Sequence, residues 1–133
     1  MKLYVALLVL VAINSTLAYS GIFAAVRDML ECHDELRIKE DDLLFIDDIA
    51  QIQAVSSYTP GQRCSIYCQS EAFGITKQGR PIEEFWRNHP SFANRYDLDE
   101  VFANCPYLGA NTCEAPVLLA ICTQHYPRNR QYD

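Results

Sequence analysis

Six cysteines punctuate this chain, and two of them, Cys64 and Cys68, stand four residues apart. They come after Tyr58-Thr59-Pro60-Gly61, a turn that can launch a helix. On a helix, positions four apart lie about 40° from each other on one face. Their Cβ atoms are then about 5–6 Å apart, whereas a disulfide needs about 3.5–4.5 Å. Cys64 and Cys68 therefore do not bridge each other, and each reaches a different segment. The helix that carries them becomes a post to which two other parts of the chain are tied. Ile66 and Phe73 fall on its other side, so the helix is expected in the middle of the protein.

Redox chemistry makes this reading conditional on compartment. Residues 1–20 read as a signal peptide: Lys2 supplies the positive start and Leu3 to Ile13 is unbroken apolar sequence. Small residues at Thr16, Ala18 and Ser20 suit cleavage after residue 18 or 20. The apolar run is too short to span a bilayer, and no later stretch approaches that length, so no stable membrane insertion is expected. The remainder, 21–133, has the size of a single domain. Without Lys2 it carries 10 basic against 17 acidic side chains, a net charge of −7. That argues against nucleic acid or an anionic membrane as partner. All six cysteines lie in this part, and an even count in a secreted domain implies three disulfides. Excluding those that join Cys64 to Cys68 leaves 12 of about 15 possible connectivities.

Helical periodicity dominates the rest. Ile22, Val26, Met29, Leu30, His33 and Leu36 share one face of a helix over 22–37, with Cys32 at its edge. Apolar residues at 43–55 suggest a second helix, and residues 53–60 a loop. The Cys64 helix runs to about 73, where Gly74 stops it. Pro81, Glu83 and Glu84 suit the start of a helix over 81–88 that carries Phe85 and Trp86 and ends by His89-Pro90. Asp97 or Asp99 caps another at 97–104. Asn111-Thr112-Cys113-Glu114 resembles a capping box for a last helix over 113–125. That helix is apolar all round, hence buried, and Pro116 fits only near its start. Cys113 and Cys122, nine apart, point to opposite sides. This is an all-α chain of about six helices, without a convincing strand.

Catalytic patterns are missing. The sequence has no Gly-rich phosphate loop, nucleophile elbow or His-x3-His pair. His33, His89 and His125 are scattered, and nothing gives a nucleophile its base. Nine acidic residues against two basic ones between 28 and 48 lack the alternating ligands and central glycine of a calcium loop. No enzyme, metal site or cofactor is expected. A surplus of apolar side chains remains, since 50% of the residues are hydrophobic. Three disulfides, each contributing about 3 kcal/mol, could offset the cost of a hollow apolar centre.

The cysteine spacing is specific: Cys32-x31-Cys64-x3-Cys68-x36-Cys105-x7-Cys113-x8-Cys122. It resembles the six-cysteine pattern of insect odorant-binding proteins, including pheromone-binding ones. The x3 and final x8 intervals are the strictest of that pattern, and both are present. Glu40-Asp41-Asp42-Leu43, Arg63-Cys64-Ser65-Ile66-Tyr67-Cys68, Gln78-Gly79-Arg80-Pro81-Ile82 and Cys113-Glu114-Ala115 agree with it, so the likeness covers the whole chain after the leader. The Cys105–Cys113 interval is slightly shorter than usual, and Pro116 is unexpected.

The resemblance implies six helices around an apolar internal cavity, tied by Cys32–Cys68, Cys64–Cys113 and Cys105–Cys122. It implies a secreted, extracellular carrier of small hydrophobic ligands such as odorants or pheromones, with an olfactory receptor or a second copy of the chain as further partners. Relatives acting in saliva, venom or reproductive fluid fit the same pattern. A secreted structural or inhibitory protein with a filled core is the rival from another class. Aromatic loading at 85–86 and the apolar last helix point to a cavity wall drawn from Val26, Leu30, Ile49, Ile52, Ile66, Phe73, Phe85, Trp86, Phe92, Leu118 and Ile121. His89 and His125 are the histidines placed to sense acid during ligand release.

Overall fold

Helix α1, Ser20–Glu35, opens the computed structural model, which describes residues 20–105 and 112–128. Residues 1–19, within the stretch read as a signal peptide, Asn111 of the expected capping box and the tail beyond Arg128 lie outside the described residues. Val26, Met29 and His33 form the buried stripe of α1, while Ile22 and Leu36, expected on the same face, are exposed. The helix closes when Arg37 turns left-handed at φ 53° and the Ile38 amide donates to the His33 carbonyl.

Residues 43–55, expected as a helix, form no α-helix. They run extended between single 3-10 turns at Glu40–Asp42, Ile49–Gln51 and Val55–Ser57. The cause lies on helix α2, Pro60–Ala72. Two of its side chains, one turn apart, take over the hydrogen bonds a helix here would have made for itself. Ser65 Oγ accepts from the Leu44 amide and donates to the Leu44 carbonyl. Gln69 does the same for Ile46, accepting at 2.9 Å and donating at 2.6 Å. Asp48 caps the next turn, accepting from the Ala50 amide. Residues 43–52 thus make a strap laid along α2.

Helix α2 itself begins with a full capping box between Thr59 and Gln62, and Pro60 stands in its first turn. Gly61 is required because the Asp42 carboxylate, which accepts from Thr59 Oγ1, occupies the space a Cβ would need. Gly74, at φ 77°, ends the helix. A two-residue hairpin then forms, with β1 Thr76–Lys77 antiparallel to β2 Arg80–Pro81. Gln78 and Gly79 both take positive φ, as such a turn demands. The Glu71 carboxylate stitches this turn by accepting from Thr76 Oγ1 and the Gln78 and Gly79 amides. This short ladder corrects the expectation of no strand.

Three short helices come next: α3 Glu83–Asn88, α4 Pro90–Ala93 and α5 Leu98–Asn104. His89 ends α3 and caps α4, its Nδ1 accepting from the Ser91 amide. Asp97 caps α5. Helix α6, Ala115–Thr123, holds Pro116 in its first turn, where no backbone N–H is needed. The Glu114 side chain makes no capping bond; it pairs with Arg63 at 2.8 Å, each residue standing next in sequence to a cysteine of the Cys64–Cys113 bridge.

The described residues are therefore all-α, with six α-helices and three disulfides. The bridges are Cys32–Cys68, Cys64–Cys113 and Cys105–Cys122, the same three pairs that the resemblance implies. They anchor α1 and α6 to α2 and tie the end of α5 to α6. No helix among the described residues is long and apolar enough to cross a membrane.

Candidate functional site

Two apolar clusters fill the interior. One gathers Trp86, Phe92, Tyr96, Leu98, Val101, Cys105 and Leu119. The other holds Ile52, Ile66, Val117 and Ala120. Ile49 packs against both. A cavity of about 90 Å³ takes its wall from both clusters and from the strap.

Each wall has a local reason. The strap contributes Ile46, Ile49 and Ile52, every third residue, with the single 3-10 turn Ile49–Gln51 between the last two. Helix α6 contributes Pro116, Leu119 and Ala120, one face at i, i+3 and i+4. Helix α2 supplies Ile66, Gln69 and Ser70, and the hairpin supplies Ile75 and Thr76. Trp86 and Phe92 close the side, with ring centroids 4.5 Å apart and nearly parallel. The Trp86 indole N–H donates to the Ile75 carbonyl at 2.9 Å, so its one polar atom is satisfied although the residue is only 1% exposed.

Of the eleven residues expected in the wall, the structure brings five together there: Ile49, Ile52, Ile66, Trp86 and Phe92. Val26 is buried on α1 and Leu30 half-buried beside it, but neither is part of this wall. That helix packs chiefly against α2. Phe73 lies past the end of α2 and is 36% exposed, so it faces away from the interior. Leu118 and Ile121 sit on the flanks of α6, because Pro116, Leu119 and Ala120 take the inward face. Periodicity does not choose among faces that are all apolar. Ile46 is an unexpected member of the wall, although the three-residue spacing back from Ile52 and Ile49 leads to it. Gln69, Ser70 and Thr76 are unexpected because polar residues carry no such signal.

Phe85 lies instead on a neighbouring cleft of about 210 Å³, lined by Asp47, Asp48, Ile49, Ile75, Phe85, His89, Ser91, Phe92 and Arg95. Cavity and cleft share Asp47, Asp48, Ile49, Ile75 and Phe92. Above this junction Asp48 Oδ1 meets Arg95 Nη1 at 2.9 Å. The Ala50 amide and Arg95 hold the Asp48 carboxyl below the usual carboxylate range. Phe85 stacks on His89 with centroids 5.2 Å apart, and both rings touch Phe92. His125 is exposed after α6 and belongs to neither space.

The arrangement offers an apolar hollow with a polar rim. Among the described residues, no group of three or more His, Cys, Asp or Glu side chains could hold a metal ion. No protein-family model, curated protein or solved structure matches the chain.

Proposed function

We propose that the chain is a secreted carrier of small hydrophobic molecules and belongs with the insect odorant-binding proteins, acting by binding and release rather than by catalysis. The observation that carries this reading is the cavity bounded by Ile46, Ile49, Ile52, Ile66, Trp86, Phe92 and Leu119 inside a helical domain tied by three disulfides. The cysteine intervals support the same reading, and disulfides of this density suit an oxidising, extracellular setting. Olfactory receptors or a second copy of the chain are its proposed macromolecular partners.

One observation favours the rival, a filled core. A cavity of about 90 Å³ is smaller than the engineered hollow of about 150 Å³ that takes benzene. Titration with N-phenyl-1-naphthylamine separates the two readings. A carrier takes the probe up with a saturable rise in its emission, and Trp86 emission changes in parallel because its ring is part of the wall. A filled core leaves both signals flat. Probe uptake with unchanged Trp86 emission would put the binding site somewhere other than this cavity.

A further inference from the structure

On the carrier reading, the cavity alone is too small for a molecule larger than benzene. The cleft beside it has more than twice its volume. Five wall residues belong to both, Asp47, Asp48 and Ile49 from the strap together with Ile75 and Phe92, so the two are neighbouring compartments. We propose that cavity and cleft form one elongated seat for an apolar molecule with a hydrogen-bond-donating end, and that Asp47 and Asp48 at the junction exclude ligands ending in a carboxylate.

Distribution of polarity sets the orientation. Asp47 and Asp48 line both spaces; beyond them the cavity wall is mostly isoleucine, leucine and aromatic surface, with Gln69, Ser70 and Thr76 as its polar members, whereas His89, Ser91 and Arg95 belong to the cleft. Charge sets the selectivity. Two carboxylates there face one guanidinium, and Arg95 already donates to Asp48. An incoming carboxylate can only accept hydrogen bonds, so it needs an Arg95 N–H, and even one that Asp48 leaves open brings it beside two carboxylates balanced by a single guanidinium. A hydroxyl has no such conflict. It donates to either aspartate and accepts from a guanidinium N–H that Asp48 leaves open. Asp47 is exposed and forms no ion pair among the described residues, so its charge adds to the exclusion without holding the fold.

The test compares 1-decanol with decanoate, chains of equal length, by displacement of N-phenyl-1-naphthylamine and by calorimetry at pH 8. The native protein should bind decanol at least tenfold more tightly. Asp47→Asn with Asp48→Asn should tighten decanoate at least fivefold and weaken decanol, whose hydroxyl loses its charged acceptor, so the ratio of the two affinities falls. Asp47→Asn alone should move the ratio in the same direction, which keeps the test decisive if the double variant does not fold. A crystal of the decanol complex should place the hydroxyl within about 3.2 Å of an aspartate oxygen. Equal affinity for the two ligands, a ratio unmoved by both variants, or a hydroxyl buried at the other end of the seat overturns the proposal. Uptake of the probe without binding of either decyl compound overturns this inference and leaves the carrier reading standing. Failure of the probe as well removes both.

Discussion

His33 is 3% exposed, and neither of its ring nitrogens has a hydrogen-bond partner. A buried donor left unsatisfied costs about 1–3 kcal/mol. Burial pushes the His33 pKa below its ordinary value, with Asp34 opposing weakly through its charge. The unfolded chain therefore binds a proton at a pH where the folded protein does not. Stability is lost as pH falls from about 6.5 toward the lower folded pKa. His33→Leu should raise the stability by about 1–3 kcal/mol at pH 7 and flatten the change in Tm between pH 7 and pH 5. Thermal unfolding followed by circular dichroism at both pH values checks this, and a native Tm that ignores pH in that window would refute it. Asp48 acts in the opposite range. Its depressed carboxyl contributes stability above about pH 3.9 that is lost on further acidification, so it does not confound the comparison.

At the scale of elements, the strap is the piece whose structure is decided from outside itself. Its Leu44 and Ile46 backbone groups are satisfied by Ser65 and Gln69, and Gln124 donates to the carbonyls of Ile49 and Ile52. Gln69→Ala removes both bonds to Ile46. It should cost about 1–3 kcal/mol and speed hydrogen exchange at the Ile46 amide more than at amides inside α2. Uniform exchange across both would show that the strap does not depend on Gln69. This dependence is why the strap was not legible in the sequence. The apolar spacing at 43–55 satisfies a helical period, and the side chains that override it lie about twenty residues later on α2. Signals within one element were readable: the Thr59-Pro60 start of α2, the Gly74 stop, the Asp97 cap, and Pro116 in the first turn of α6. The hairpin also carries a local signal, the Gln78-Gly79 pair at positive φ, but two-residue strands are too short to show an alternating pattern.

For the whole molecule, the disulfides set the frame. They close loops of different length, with sequence separations of 36, 49 and 17 residues for Cys32–Cys68, Cys64–Cys113 and Cys105–Cys122. Chain-entropy arguments give about 4 kcal/mol for the longest loop and about 3 kcal/mol for the shortest. Replacing Cys64 and Cys113 together by alanine should therefore lower stability by about 1 kcal/mol more than replacing Cys105 and Cys122. Urea unfolding of the two variants measures the difference, and a reversed order would mean that native-state packing outweighs loop length. The i, i+4 geometry of Cys64 and Cys68 makes their separate partners legible from spacing alone. Which face of α6 looks inward is not legible, because only the packed neighbours choose among its apolar sides. The position of that helix has a bearing on biosynthesis. Two of the three bridges and the Gln124 clasp on the strap come from residues 113–124. Until Cys113 has emerged from the ribosome, Cys32–Cys68 is the one native bridge within reach, and the hollow acquires its last wall only after α6 has followed.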